Sequence, residues 1–302
     1  MTKSTGGGEK TDIRERTPVE RLAAGETLIA DGAMGTLLMA KGLEPGASPE
    51  EWCVIHPQQV ADVHRAYIAA GSQIVLTDSF GGSTVRLARA GLADRMEEFN
   101  RAAAALALEA AAGRAYVAGD IGPCGEMMEP MGSLTYAEAV ENFQQQARAL
   151  AGSGVDLLWV ETMMDLNEAR AAVEGAKKAS DLPVFCSMSF GPGGRTIMGT
   201  TAAQALDALR SLGPAAFGAN CGEGLEVMDA VLDQLPDPGI PLIAKPNAGL
   251  PRMAGDKAVY DVGPEEFAAR IAALVARGAQ VVGSCCGSRP EFIAAIARAI
   301  AG

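Results

Sequence analysis

Three cysteines stand in two glycine-bounded runs, GANCG at 218–222 and GSCCG at 283–287. As thiolates, Cys221, Cys285 and Cys286 are enough to hold Zn²⁺ and leave its fourth position open, as in a catalytic rather than a structural zinc site. Thiolates are soft ligands that favour Zn²⁺ over Mg²⁺ or Ca²⁺. Three of them on one zinc give a centre with a net negative charge, which quenches its Lewis acidity and makes it a poor activator of water. Such a centre suits an incoming thiol, whose proton it removes to leave a strong sulfur nucleophile. The chemistry indicated is attack by a bound thiolate on an alkyl carbon, ahead of hydrolysis. Both sulfurs of the vicinal pair reach one metal only if the backbone bends, which the flanking Gly283 and Gly287 permit. The competing readings are burial as small hydrophobes and, for the adjacent pair, a strained vicinal disulfide. Cys53, Cys124 and Cys186 read as ordinary cysteines.

Asp31, in ADGAMGT, and Glu161, in WVETMMD, are the ionisable groups expected beside the cysteines. If the thiol substrate is an amino acid, Glu161 suits its ammonium, and the backbone N–H groups of Gly32 and Ala33 suit its carboxylate. The competing reading of each acid is a salt bridge or a helix cap. The two histidines, His56 and His64, lie in one helical segment and lend no support to a His-dependent triad.

These residues need elements to position them. Eight short apolar runs recur at 27–32, 73–80, 115–122, 156–162, 183–190, 215–222, 241–249 and 279–287. They are near-continuously apolar rather than alternating, as in parallel strands buried on both faces. The segments between them, such as 57–71, 136–154 and 264–278, carry i, i+3/i+4 apolar spacing and close on glycine. Eight strand–helix units predict a single-domain (β/α)₈ TIM barrel of the α/β class. An open doubly wound sheet is the alternative, but no Gly-x-Gly-x-x-Gly follows the first run. Asp31, Thr77, Asp120, Glu161, Ser187, Asn220, Asn247 and the cysteines all fall at the C-terminal ends of runs. In a barrel those ends converge on the active-site rim.

The chain has 302 residues and a net charge of −12, which argues against a nucleic-acid partner. No apolar run approaches the ~20 residues that span a bilayer, so no membrane partner is expected. The polar N-terminus has no apolar signal core, and six cysteines without an export signal suggest a reducing compartment, the cytoplasm. Residues 1–20 read as a flexible or loosely packed arm, and 21–302 as the barrel.

The motifs resemble those of the homocysteine S-methyltransferase family from about residue 26 to the C-terminus. The resemblance rests on DGAMGT (31–36), TDSF (77–80), GDIGPCGE (119–126), VET (160–162), GRTIMGT (194–200), GANCG, KPNAGLP (245–251) and GSCCG. It implies that Cys221, Cys285 and Cys286 bind one catalytic zinc per chain. It also implies that Asp31, Gly32, Thr77 and Glu161 help hold homocysteine, with Asn220 bracing the metal loop. The implied activity is methyl transfer from a small betaine-type or S-methylmethionine-like donor to the zinc-bound thiolate of homocysteine, giving methionine. Animal-type betaine enzymes carry aromatic residues where this chain has Gly81 and Thr162, so that aromatic cage is not expected. Trp52, Tyr136 and Phe190 are other candidates for one. An alternative is a barrel subunit that exchanges methyl groups with a separate corrinoid protein and acts on homocysteine or another thiol. A non-catalytic zinc or thiol-sensing module is a third reading. An oligomer is compatible with all three.

Overall fold

The computed structural model describes residues 12–250, 252–254 and 257–301. Each of the eight apolar runs forms a parallel strand. They are β1 (Leu28–Ile29), β2 (Ile74–Leu76), β3 (Tyr116–Ile121), β4 (Leu157–Met163), β5 (Val184–Met188), β6 (Ala216–Cys221), β7 (Leu242–Pro246) and, last in the chain, β10 (Ala279–Val282). Neighbours run β1–β10–β7–β6–β5–β4–β3–β2. A parallel bridge between Ala30 and Ile74 then brings β1 back to β2 and closes the (β/α)₈ barrel. An antiparallel hairpin, β8 (Arg252–Ala254) with β9 (Lys257–Val259), sits outside the barrel after β7 and was not foreseen.

Amphipathic helices such as Pro57–Ala70, Tyr136–Ala151 and Pro264–Ala276 return the chain between strands. The first stops at Gly71, whose φ of 113° an L-residue rarely adopts. The second starts in a capping box, in which Thr135 accepts from Glu138 N while the Glu138 carboxylate accepts from Thr135 N. Among the described residues no helix is long and apolar enough to cross a membrane.

Side chains alternate across a strand, so every second residue faces the barrel axis. In β3 these are Tyr116, Ala118 and Asp120, and in β4 Leu157, Trp159 and Glu161. The lower positions join Leu28, Ile74, Phe185, Ala216 and Ile243 in a buried apolar cluster. The uppermost positions of β3 to β7 are polar yet buried: Asp120, Glu161, Ser187, Asn220 and Lys245. Their layer is the floor of the rim. The other strand faces, including Val117, Val160, Cys186 and Phe217, pack under the helices.

At the opposite end, Leu22 plugs the barrel with Ile13 and Val19 packed against it. Of the arm read over 1–20, residues 1–11 lie outside the described residues. Residues 12–20 are tied down rather than loose. They contain a 3₁₀ turn, Ile13–Glu15, and the start of the helix Pro18–Ala23. Ile13 N donates to Gly113 O at 3.0 Å, and the Tyr116 hydroxyl donates to Ile13 O at 2.8 Å.

Candidate metal centre and its cavity

The C-terminal ends of the strands surround a cavity of about 710 Å³. Asp31, Gly32, Thr77, Glu161, Cys221, Cys285 and Cys286 all line it. Asn220 does not; it is fully buried beneath the rim.

The three cysteine Sγ atoms lie within 4.8 Å of one another. β6 delivers Cys221 through a strained turn, with φ of 60° at Cys221 itself and 67° at Gly222. The bend expected at both glycines of GSCCG is present only at Gly287, with φ of 81°. A Cβ there would also lie 2.3 Å from the Tyr260 ring. Gly283 is needed for closeness instead, since its Cβ would stand 2.9 Å from Asp31 O. Backbone bonds fix the loop: Cys285 N donates to Pro246 O at 2.8 Å, and Ala248 N to Cys286 O at 3.0 Å. Asn247 Nδ2 donates to Gly222 O at 2.8 Å and so ties the Cys221 turn to β7.

The cysteines share protons unequally. Hydrogen bonds from the Cys285 and Cys286 thiols hold Cys221 down to about 3, and Cys286 is pushed up to about 12. A cluster whose thiols favour a thiolate at Cys221 suits a soft cation, whose entry releases the remaining protons. The donor set therefore fits a metal held by sulfur. Burial pushes Cys124 and Cys186 up to about 12, so they stay unreactive thiols.

Lys245 is the residue that the sequence reading left without a role. Its Nζ lies 3.3 Å from Asp31 Oδ1, 3.8 Å from Glu161 Oε2 and 5.2 Å from the centre of the Trp159 ring. Burial opposes its charge, but Asp31 and Glu161 more than offset that and hold it protonated. Burial raises Asp31, against the pull of Lys245 and of the Leu76 N–H that Asp31 Oδ2 accepts at 2.8 Å. Burial likewise lifts Glu161 to about 7. Glu161 is also oriented from below: Asn220 Nδ2 donates to Glu161 Oε2 at 3.2 Å and to Thr162 Oγ1 at 2.6 Å. Asn220 Oδ1 accepts from Thr162 N at 2.8 Å and from the Ser187 hydroxyl at 2.7 Å. With every polar atom engaged, Asn220 positions Glu161 and the start of the Cys221 turn.

Thr77 Oγ1 accepts from Asp120 N at 2.9 Å and pairs with Ser79 Oγ at 2.6 Å, which stitches β2 to β3 at the cavity edge. Ala33 N, expected beside Gly32 N as part of a carboxylate cradle, instead donates to Ser288 Oγ at 3.2 Å. Trp52, Tyr136 and Phe190 do not reach the cavity; the aromatic residues lining it are Phe80 and Tyr260. A parity rule would have found Lys245, which follows the inward-facing Ile243 by two.

A closed parallel barrel with a thiol cluster and buried carboxylates at its C-terminal rim carries its reactive groups where α/β-barrel enzymes have their active sites. The profile of the homocysteine S-methyltransferase family matches residues 28–300. The chain belongs to that family. It is 32% identical over 295 residues to a methionine synthase of Mycobacterium tuberculosis and 30% identical over 299 residues to one of Mycobacterium leprae. The matches cover 91% and 92% of this chain, which spans about a quarter (24%) of each relative's length. Among solved structures, the metallated form of the homocysteine methyltransferase MmuM from Escherichia coli superposes with a TM-score of 0.78 at 25% identity. That match covers 93% of this chain and 100% of the other.

Proposed function

We propose that the protein transfers a methyl group from a small onium donor, of the betaine or S-methylmethionine type, to the sulfur of homocysteine, giving methionine. The observation that carries this reading is that the three-thiol cluster and the acid-lined floor open into one cavity. Cys221, Cys285 and Cys286 would hold one Zn²⁺. When bound, zinc supplies the charge that lets a substrate thiol lose its proton near neutral pH.

The chain's own residues do the rest. Glu161, steadied by Asn220, faces the amino acid's ammonium. Asp31, neutralised by Lys245, shapes the floor beside it. The Gly32 N–H is the remaining backbone donor for the carboxylate, and Thr77 closes the wall. The thiolate's electron pair forms the S–C bond. The bond from the methyl carbon to the donor's nitrogen or sulfur breaks, and its pair stays on that atom, which leaves neutral. Alignment in such a site is worth several kcal/mol.

Glu161→Gln removes one charge and keeps the shape. A charged hydrogen bond is worth about 1.5–3 kcal/mol, so the KM for homocysteine should rise about ten- to a hundredfold while bound metal stays at wild-type level. Kinetics paired with metal analysis checks this, and an unchanged KM removes Glu161 from the ammonium site.

The similarity to methionine synthases favours a second reading, a barrel that takes its methyl group from a separate cobalamin protein. Betaine, S-methylmethionine, dimethylsulfoniopropionate and methylcobalamin, each incubated with homocysteine and the metal-loaded protein, separate the two. Methionine formed from any of the first three supports the proposal. Methionine formed from methylcobalamin alone selects the second reading.

A further inference from the structure

Resting on the reading above, we propose that Asp78 and Asp120, with Arg86 at the mouth, form the donor subsite and select a zwitterionic onium, cation inward and carboxylate outward.

Both acids line the cavity, on the side of β2 and β3, and both are 5% exposed. Among the described residues nothing donates a hydrogen bond to either Asp120 carboxylate oxygen, and Asp120 Oδ1 is buried without any partner. Asp78 has a single weak contact, the Cys53 thiol 3.7 Å from its Oδ2. Such groups are costly to leave unpaired, and their disposition toward a cavity marks the place of a missing partner.

That partner is cationic. Lys245, the nearby buried cation, is already committed to Asp31. Glu50, also lining the cavity, adds further negative charge; its carboxylate accepts from Gly81 N at 2.6 Å. A metal ion is the poorer candidate, because among the described residues the three cysteines alone gather three ligand atoms closely enough. Burial lifts Asp78 to about 8, with the Glu50 charge adding to it, and burial raises Asp120 strongly, with the Glu161 charge adding. Burial thus disfavours the charge of both acids, and a cation seated beside them offsets that cost.

Arg86 supplies the other half. It lines the same cavity from an exposed position, and its guanidinium makes no ion pair or side-chain hydrogen bond with another described residue. Its neighbour Arg89 is paired with Glu126 at 3.1 Å. An exposed guanidinium lining the same cavity as the buried acids, whose charge also reaches Glu168, matches a donor with a carboxylate at one end and a permanent cation at the other.

The test uses metal-loaded protein with betaine and S-methylmethionine as donors. Asp78→Asn and Asp120→Asn should each raise donor KM at least about tenfold, with homocysteine KM changed less than about twofold. Arg86→Gln should do the same for both donors. The carbon isostere of betaine, 3,3-dimethylbutyrate, should compete at least about tenfold more weakly than betaine binds. Thermal melts of the Asn variants should match or exceed wild type, because burial disfavours the charge that each substitution removes. Donor KM within twofold of wild type in both Asn variants overturns the subsite, as does methyl transfer from methylcobalamin alone. If no donor methylates homocysteine, the activity reading fails. Calorimetry then decides the subsite: betaine binding that the variants lose supports it, and absence of betaine binding overturns it.

Discussion

Cys285→Ser should lose the metal and the activity together, with turnover at pH 7 down on the order of 10³-fold. Two factors set the size. A free thiol with a pKa near 8.5 is only about 3% ionised at pH 7, which costs about thirtyfold. A sulfur no longer held in place loses alignment as well, and a misplacement of about 1 Å costs about a hundredfold. Serine offers a harder oxygen whose proton is not readily lost, so it does not restore a soft three-sulfur set. The variant also changes the pH profile. Its residual rate should climb about tenfold per pH unit between roughly pH 7 and 8.5, as homocysteine ionises unaided. The wild-type rate should be much flatter there. Cys186→Ala, at a fully buried position on β5 facing the helices, is the control and should keep its metal. Metal analysis and rate–pH profiles decide the matter. A full equivalent of metal with turnover within tenfold of wild type would sink the three-thiol assignment.

The barrel was legible because its strands are buried on both faces and so read as apolar runs. β1 and β2 were read longer than they are. Asp31 and Thr77 leave the ladder to serve the rim, and only two and three residues remain paired. The β8–β9 hairpin was not legible: three-residue strands are too short to carry an apolar run. The cysteine trio was legible from residue type and strand-end position, but the backbone that unites it was not. Sequence offered Gly283 and Gly287 as bending points for the adjacent pair; Gly287 bends, and Cys221 takes a left-handed turn of its own.

The charges were read less completely, for a physical reason. An acid at a strand end announces itself, but its partner depends on which strands lie near it in the barrel. Asp31 and Lys245 are 214 residues apart and meet only because β1 and β7 both flank β10. Asn220 shows the same limit. The family resemblance implied a brace for the metal loop, whereas the four hydrogen bonds of Asn220 run to Glu161, Thr162 and Ser187.

Lys245→Met tests whether that buried cation holds the floor together. The Lys245 side chain is 3% exposed, with its Nζ near two carboxylates, and methionine fills the stem's volume without the charge. Removing one partner of a buried pair leaves the other charged and unpaired, at a cost of about 3–5 kcal/mol. For a chain of this size that is a fall in Tm of roughly 10 °C. The deficit must depend on pH in one direction. Asp31 and Glu161 already have folded pKa values above their ordinary range, Glu161 at about 7, and losing Lys245 raises them further. A group that binds its proton more tightly when folded favours the folded state as pH falls. The loss should therefore be largest above pH 8 and shrink as the pH is lowered through 7. Wild-type Lys245, whose own folded pKa is raised, stays charged across this window. Adding Asp31→Asn to Lys245→Met should recover part of the loss, since a neutral pair of similar shape avoids the stranded charge. Urea or thermal unfolding of the three proteins at pH 6 and 8.5 measures all of this. A Lys245→Met protein as stable as wild type at pH 8.5, or one that worsens on acidification, would mean that the floor is held by packing around Trp159 rather than by its buried ion pair.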